Sequence, residues 1–169
     1  IELRRLIAQD LTVVSHSSIE AEQVLISAGA KQALSIALKT ILDDGDEVIV
    51  IDPCFVSYRP QVLLANHHAR IVQCPLTGSF KIDFDALNAC FTGRTKAVLV
   101  NTPNNPSGGL ITASEMVALV ALCKKNGSYL ICDEIYRDFV YHDSVFVSAN
   151  AFRHAYDRIV TIDGLSKTY

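Results

Sequence analysis

The sequence predicts an α/β fold built on a mostly parallel sheet, and three observations carry that reading. Short apolar runs alternate along the chain with stretches whose apolar residues recur at helical spacing. Strands joined through helices in this order run parallel, by right-handed crossovers. Five of the apolar runs give way at once to glycine, an aromatic, asparagine, aspartate or a Ser-Lys pair. In a parallel sheet those carboxyl ends share one edge, which is where ligands bind. With 169 residues, half apolar and a fifth charged, the chain is long enough for one core and reads as a single domain over residues 1–169.

The N-terminal stretch reads as an amphipathic helix with Leu3, Leu6 and Ile7 on one face, followed by the polar run His16-Ser-Ser-Ile-Glu20. Val24-Leu-Ile26 reads as a short strand ending in Ser27-Ala-Gly-Ala-Lys31. Ala30, Ala33, Leu34, Ala37, Leu38 and Ile41 then recur at helical spacing until Asp43-Asp-Gly-Asp46 stops the helix. Strand, glycine and helix start in that order present free N–H groups at a helix N-terminus, where donors and dipole together favour a phosphate. Gly29 serves equally as a tight turn.

Val48-Ile-Val-Ile51 is a buried strand that gives way to Asp52-Pro-Cys-Phe-Val-Ser-Tyr58. Pro53 ends it, and Phe55 is either core or a platform for a planar ring. A helix over about residues 57–66 leads to the alternating strand Arg70-Ile-Val-Gln-Cys74, placed away from the site. A short helix over residues 83–91 buries Phe84, Leu87 and Phe91. Ala97-Val-Leu-Val100 runs into Asn101-Thr-Pro-Asn-Asn-Pro-Ser-Gly-Gly109, where two prolines bracket Asn104 and Asn105 and hold an amide in one direction. Thr112-Ala-Ser-Glu115 is a capping box for an apolar helix to about Lys125, ended by Asn126-Gly127. Tyr129-Leu-Ile-Cys132 terminates in Asp133-Glu-Ile-Tyr136, and a carboxylate at the end of a buried strand demands a cation or several donors. Phe139-Val-Tyr141 reads as packing and residues 152–156 as a short helix. The last strand begins at Ile159 and runs into a small-residue turn carrying Ser166 and Lys167.

A net charge of −3, with no Lys/Arg run longer than two, argues against nucleic acid or an anionic membrane as the main partner. No apolar run reaches the roughly 18 residues of a membrane span, and the first residues do not form a signal peptide, which sets the protein in the cytoplasm. The five cysteines are odd in number and make no C-x-x-C pair, so they read as reduced, mostly packing residues. His16, His67, His68, His142 and His154 have no zinc spacing, and no metal site is expected.

The converging strand ends offer helix-terminal N–H groups after Gly29, a ring at Phe55, an amide at Asn105, a carboxylate at Asp133, a phenol at Tyr136, and Ser166 with Lys167. A phosphate, an aromatic plane, a ring cation and an aldehyde would use all of them, and pyridoxal 5′-phosphate carries all four. The chain resembles the large domain of class I/II aminotransferases, the aspartate aminotransferase family of pyridoxal-phosphate-dependent fold type I. The matching segments are Ser27-Ala-Gly-Ala-Lys-Gln-Ala-Leu34, Asp52-Pro-Cys-Phe-Val-Ser-Tyr58, Asn101-Thr-Pro-Asn-Asn-Pro-Ser-Gly108, Asp133-Glu-Ile-Tyr136 and Gly164-Leu-Ser-Lys167, in order and spacing across nearly the whole chain.

The resemblance implies a three-layer α/β/α domain and an enzyme that exchanges an amino group between an L-amino acid and a 2-oxo acid. Lys167 would form the internal Schiff base, Asp133 would pair with the pyridinium nitrogen, and Asn105 and Tyr136 would hold the phenolic oxygen. Phe55 would stack on the ring. The backbone N–H groups of Ala30 and Lys31, at the Gly29 turn, and the Ser166 hydroxyl would bind phosphate, with Tyr58 supporting Asp133 from behind. A homodimer is implied as well. The family's second phosphate-binding arginine and its substrate-carboxylate arginine lie beyond the lysine. Together with a start at Ile1 and a stop at Tyr169, this reads as one piece of a protein that continues past both ends. The same contacts serve lyases of this fold, of the carbon–sulfur β-lyase or aminocyclopropane-carboxylate synthase kind, and the effector domains of aminotransferase-like transcriptional regulators. Acyl-transferring relatives typically carry Asp-Glu-Ala-His where this chain has Asp133-Glu-Ile-Tyr136, and a cofactor-free relative has no reason to keep Lys167 and Asp133 together.

Overall fold

Five parallel strands order themselves β2-β1-β3-β4-β5 in the computed structural model, which describes residues 2–141 and 143–169; His142 lies outside the described residues. The strands are β1 (Glu47–Asp52), β2 (Arg70–Pro75), β3 (Thr95–Asn101), β4 (Tyr129–Asp133) and β5 (Ile159–Ile162). The helices are α1 (Glu2–Ser15), α2 (Ala30–Ile41), α3 (Tyr58–Ala65), α4 (Phe84–Cys90) and α5 (Ala113–Asn126). All four strand pairings are parallel.

Strand alternation divides the core into two layers. Val48, Val50, Ala97, Leu99, Ile131 and Ile162 pack with Leu34 and Leu38 of α2 and Tyr58 and Val62 of α3. Ile49, Ile51, Val98, Val100, Leu130 and Cys132 pack with Leu87 of α4 and Met116, Leu119 and Cys123 of α5. The central strands are apolar at nearly every position because both their faces are covered, as a parallel sheet between helix layers requires. The result is a three-layer α/β/α arrangement with β2 at one edge, away from the strand ends that carry the site.

Local chemistry sets the helix ends. The Thr112 hydroxyl accepts from Glu115 N while the Glu115 side chain accepts from Thr112 N, the reciprocal cap expected for α5. Gly127 closes that helix at φ 65°, a left-handed position where a side chain would be strained. Asp83 caps α4 by accepting from Asp85 N and Ala86 N.

Four expectations are corrected. Val24-Leu-Ile26 forms no strand: Leu25 and Ile26 are exposed, and β5, the sheet's edge on that side, pairs with β4 only. An apolar triplet without a neighbour to complete its ladder has nothing to hold it as a strand. In α1 the helix forms, but Leu3 and Leu6 are exposed and the buried residues are Ala8 and Ser15. Phe139 and Tyr141 are exposed rather than packed. The short helix before β5 is a 3₁₀ helix at Ala149–Phe152, started earlier than expected because Ser148 caps it by accepting from Asn150 N.

Candidate active site

At the carboxyl edge of the sheet, on the α2/α3 face, lies a cavity of about 340 Å³. Gly29, Ala30, Lys31, Phe55, Asp133, Tyr136, Ser166 and Lys167 line it, which brings together eight of the nine residues singled out from the sequence. The ninth, Asn105, is not part of the lining but donates from Nδ2 to Tyr136 Oη at 3.4 Å. The Asn101 side chain fixes the Asn105 backbone, accepting from Asn105 N at 2.6 Å while donating to Asp133 O at 2.8 Å. One amide thereby ties the ends of β3 and β4 to the loop that carries Asn105.

Gly29 precedes α2 at φ 85°, a conformation that favours glycine. No acceptor among the described residues meets the N–H groups of Ala30 and Lys31. These uncapped donors, with the positive end of the α2 dipole, face the cavity. Gly164 brings the lysine turn against them: a Cβ there would stand 2.9 Å from Ile135 Cδ1 and 3.9 Å from Ala30 N. A side chain there would press on the end of the Ile135 side chain and stand in ordinary contact with the start of α2.

Asp133 is buried and makes no ion pair among the described residues. Its Oδ2 accepts from Tyr58 Oη at 2.7 Å and its Oδ1 from Ile135 N at 3.1 Å. Burial pushes the Asp133 carboxyl above its ordinary value, and these two donors oppose the rise. Burial first, and then the Asp133 charge, push the Tyr58 phenol far up, so it stays a donor. A buried carboxylate on a cavity wall without a paired cation is costly, and a cationic ligand group would relieve the cost.

The remaining lining is aromatic and basic. The Phe55 ring meets Tyr58 edge to face at 5.8 Å between centroids, and the Lys31 ammonium stands 5.5 Å from the Phe55 centroid. Lys167 Nζ lies 5.8 Å from the centroid of Tyr136. Lys167 and Ser166 are exposed at the mouth.

Ala28, Leu34, Gln61, Asn101 and Ile135 also line the cavity, though the sequence reading did not single them out as site residues. Two periodicities would have found the polar pair. Gln61 lies three residues after Tyr58, on the same face of α3. Asn101 lies two after Leu99, on the same face of β3. Gln61 Oε1 is buried without a partner among the described residues.

Comparison with known proteins points one way. The family model for aminotransferases of class I and II matches residues 1–169. An aspartate aminotransferase of Thermotoga maritima is 40% identical over 168 residues, 99% of this chain and 44% of that protein. A solved aromatic aminotransferase of Pyrococcus horikoshii superposes with a TM-score of 0.94 at 31% identity, over 99% of this chain and 45% of that one. The Thermus thermophilus aspartate aminotransferase solved with maleate gives 0.89 at 34% identity, over 96% and 42%. The chain thus spans under half the length of these relatives.

Proposed function

The chain belongs to the class I and II aminotransferases, and from that premise we propose that it is the large-domain portion of a longer enzyme that moves an amino group between an L-amino acid and a 2-oxo acid. Enzymes of this family depend on pyridoxal 5′-phosphate. The observation that carries the reading is Asp133, a buried carboxylate without an ion pair among the described residues, in a cavity that is also lined by the uncapped N-terminus of α2 and by an exposed lysine. The complementary charges match a ligand with a ring cation at one end and a phosphate at the other. Bound there, pyridoxal phosphate supplies an aldehyde that captures amines and a protonated ring that accepts the electron pair left when a Cα–H proton departs.

In this reading Asp133 holds the proton on the ring nitrogen, kept ionised by the Tyr58 hydroxyl, the Ile135 N–H and the cation itself. Asn105 and Tyr136 act as a bonded pair that orients the ring's phenolic oxygen. Phe55 packs on the ring face and excludes water from it. Ala30 N, Lys31 N and Ser166 Oγ bind phosphate. Lys167 would be the attachment point, and its amine, once freed, would take up and return the proton of the substrate Cα. Such positioned acid–base help contributes typically about 10²–10⁴-fold.

The relatives quoted above are named as aminotransferases, which favours transfer over the lyase outcome. We place the complete enzyme in the cytoplasm as a homodimer; no helix among the described residues is long and apolar enough to cross a membrane. The test is Lys167→Ala in the complete enzyme. Turnover is expected to fall by at least the ~10²–10⁴-fold of the proton relay while some cofactor remains bound. Unchanged turnover would refute the assignment.

A further inference from the structure

The turn that carries Lys167 is exposed from Leu165 onward, yet two side chains next to Tyr136 hold it at both ends. At the head, the Arg137 guanidinium pairs with the Asp163 carboxylate, Nε to Oδ2 at 3.1 Å, and Asp163 Oδ1 accepts from Gly164 N at 2.7 Å. At the tail, Thr168 Oγ1 donates to Asp138 Oδ2 at 2.9 Å. Arg137 itself is anchored, since its Nη2 bonds Asp10 of α1 and its side chain is only 14% exposed. Arg137 and Asp138 directly follow Tyr136, whose ring lies beside the Lys167 ammonium.

We propose that Arg137 and Asp138 are positioning residues for Lys167: a two-point strap that fixes the lysine turn at Asp163 and Thr168 and registers its amine against Tyr136. The proposal rests on the reading of Lys167 as the cofactor's attachment point. Charge explains why an arginine is needed. Asp10, Asp138 and Asp163 all face one guanidinium, and without it three carboxylates would repel one another at the base of the turn. Asp163 is part-buried, so an unpaired charge there would drive the turn outward into solvent. The fork geometry of arginine reaches two carboxylates from one rigid plane, which a lysine cannot do. Arg137 Nη1 is left buried without a partner among the described residues, an arrangement poorly optimised for stability alone.

The experiment uses the complete enzyme, stripped of cofactor, as wild type, Arg137→Met, Arg137→Lys and Thr168→Val. Each is mixed with pyridoxal phosphate and borohydride, and the labelled lysine and its labelling rate are read by mass spectrometry. Visible circular dichroism per bound cofactor and the thermal midpoint are measured alongside. Wild type is expected to label at Lys167. Arg137→Met is expected to slow that labelling about tenfold, the loss of roughly one charge-assisted bond's worth of ordering, and to weaken the visible dichroism. Arg137→Lys is expected to recover part of both, and Thr168→Val to slow labelling severalfold with the thermal midpoint unchanged. Variants that label at the wild-type rate with wild-type dichroism overturn the strap, whatever their midpoints. If Arg137→Met does not fold, Thr168→Val alone decides the matter by the same criteria. A wild-type label on a different lysine overturns the attachment reading instead, and the strap with it.

Discussion

Asp133 and Glu134 are neighbours in the sequence and both are buried, at 6% and 1% exposure, yet they serve opposite sides of the sheet. Strand alternation separates them: Asp133 follows Ile131 onto the α2/α3 face, and Glu134 follows Cys132 onto the α5 face. Each carboxylate has two donors. Asp133 takes Tyr58 Oη and Ile135 N, while Glu134 takes Ser148 Oγ at 2.8 Å and Ala149 N at 2.7 Å. Burial raises both above their ordinary values, Glu134 to about 7. The difference is what lies beyond them. Glu134 is sealed against the 3₁₀ helix it fastens, whereas Asp133 opens onto the cavity. Hydrogen-bond count therefore does not distinguish a structural carboxylate from a ligand-binding one; open space on the charged side does.

The widest separation between the two is expected from their deletion in the complete enzyme. Asp133→Asn is expected to lower amino transfer by at least ~10²–10⁴-fold, the scale of positioned proton chemistry. The cofactor-free thermal midpoint should hold or rise, because a buried unpaired charge is gone. Glu134→Ala is expected to do the reverse. It strands the Ala149 N–H and the Ser148 hydroxyl at a cost of about 3 kcal/mol of stability, with transfer per folded molecule unchanged. Steady-state kinetics beside calorimetry on both variants would dissolve the comparison if the two profiles matched.

A pH series sharpens the contrast on the Glu134 side. Its folded value, about 7, lies above the ordinary 4.5, so the folded state binds the proton more tightly than the unfolded chain. The stability it contributes is present below about pH 4.5 and is lost as pH rises through about 7, on the order of 3 kcal/mol in total. Denaturant unfolding of the cofactor-free protein at both ends of that window should show the loss in wild type and a flatter profile in Glu134→Gln. An equal slope in both would mean that Glu134 does not titrate with folding.

Much of this was legible in the sequence, and the misses share a cause. β1, β3 and β4 were visible because a strand covered on both faces is apolar at nearly every position, and α5 because its capping box and Gly127 mark both ends. The part of the cavity lining that follows β1, β3, β4 and β5 was legible as strand ends, since topology alone brings those to one edge, whereas Ala28–Lys31 sit at the start of α2 after a segment that forms no strand. Val24-Leu-Ile26 and the Leu3/Leu6 face failed because apolarity records what a segment can bury and not whether a neighbour is present to cover it. Glu134 went unremarked as a counterpart to Asp133 because its partners, Ser148 and Ala149, sit in a stretch with no periodic signal. Gln61 and Asn101 were readable from helix and strand spacing, but only once Tyr58 and Asp133 had been fixed as the site's centre.

The smallest and most discriminating effects come from removing one matching donor on each side. Tyr58→Phe keeps the ring that packs in the α2/α3 layer and takes away only the hydroxyl on Asp133. A hydrogen bond to a charged group is worth about 1.5–3 kcal/mol, and part of that loss is offset by the Ile135 N–H that remains. In the proposed reading transfer needs Asp133 ionised, so activity should be lost as pH falls through its titration. Because the Tyr58 hydroxyl lowers that value, its removal raises it, and the acid limb of the pH–rate profile should move to higher pH. Ser148→Ala performs the same operation on Glu134 and should leave the acid limb where it is, costing only stability, by about 1 kcal/mol. A shifted limb in Ser148→Ala would show that the two carboxylates communicate through β4 and that their division of labour is not set by the face of the sheet, and an unmoved one in Tyr58→Phe would show that the Tyr58 hydroxyl does not set the titration on which transfer depends.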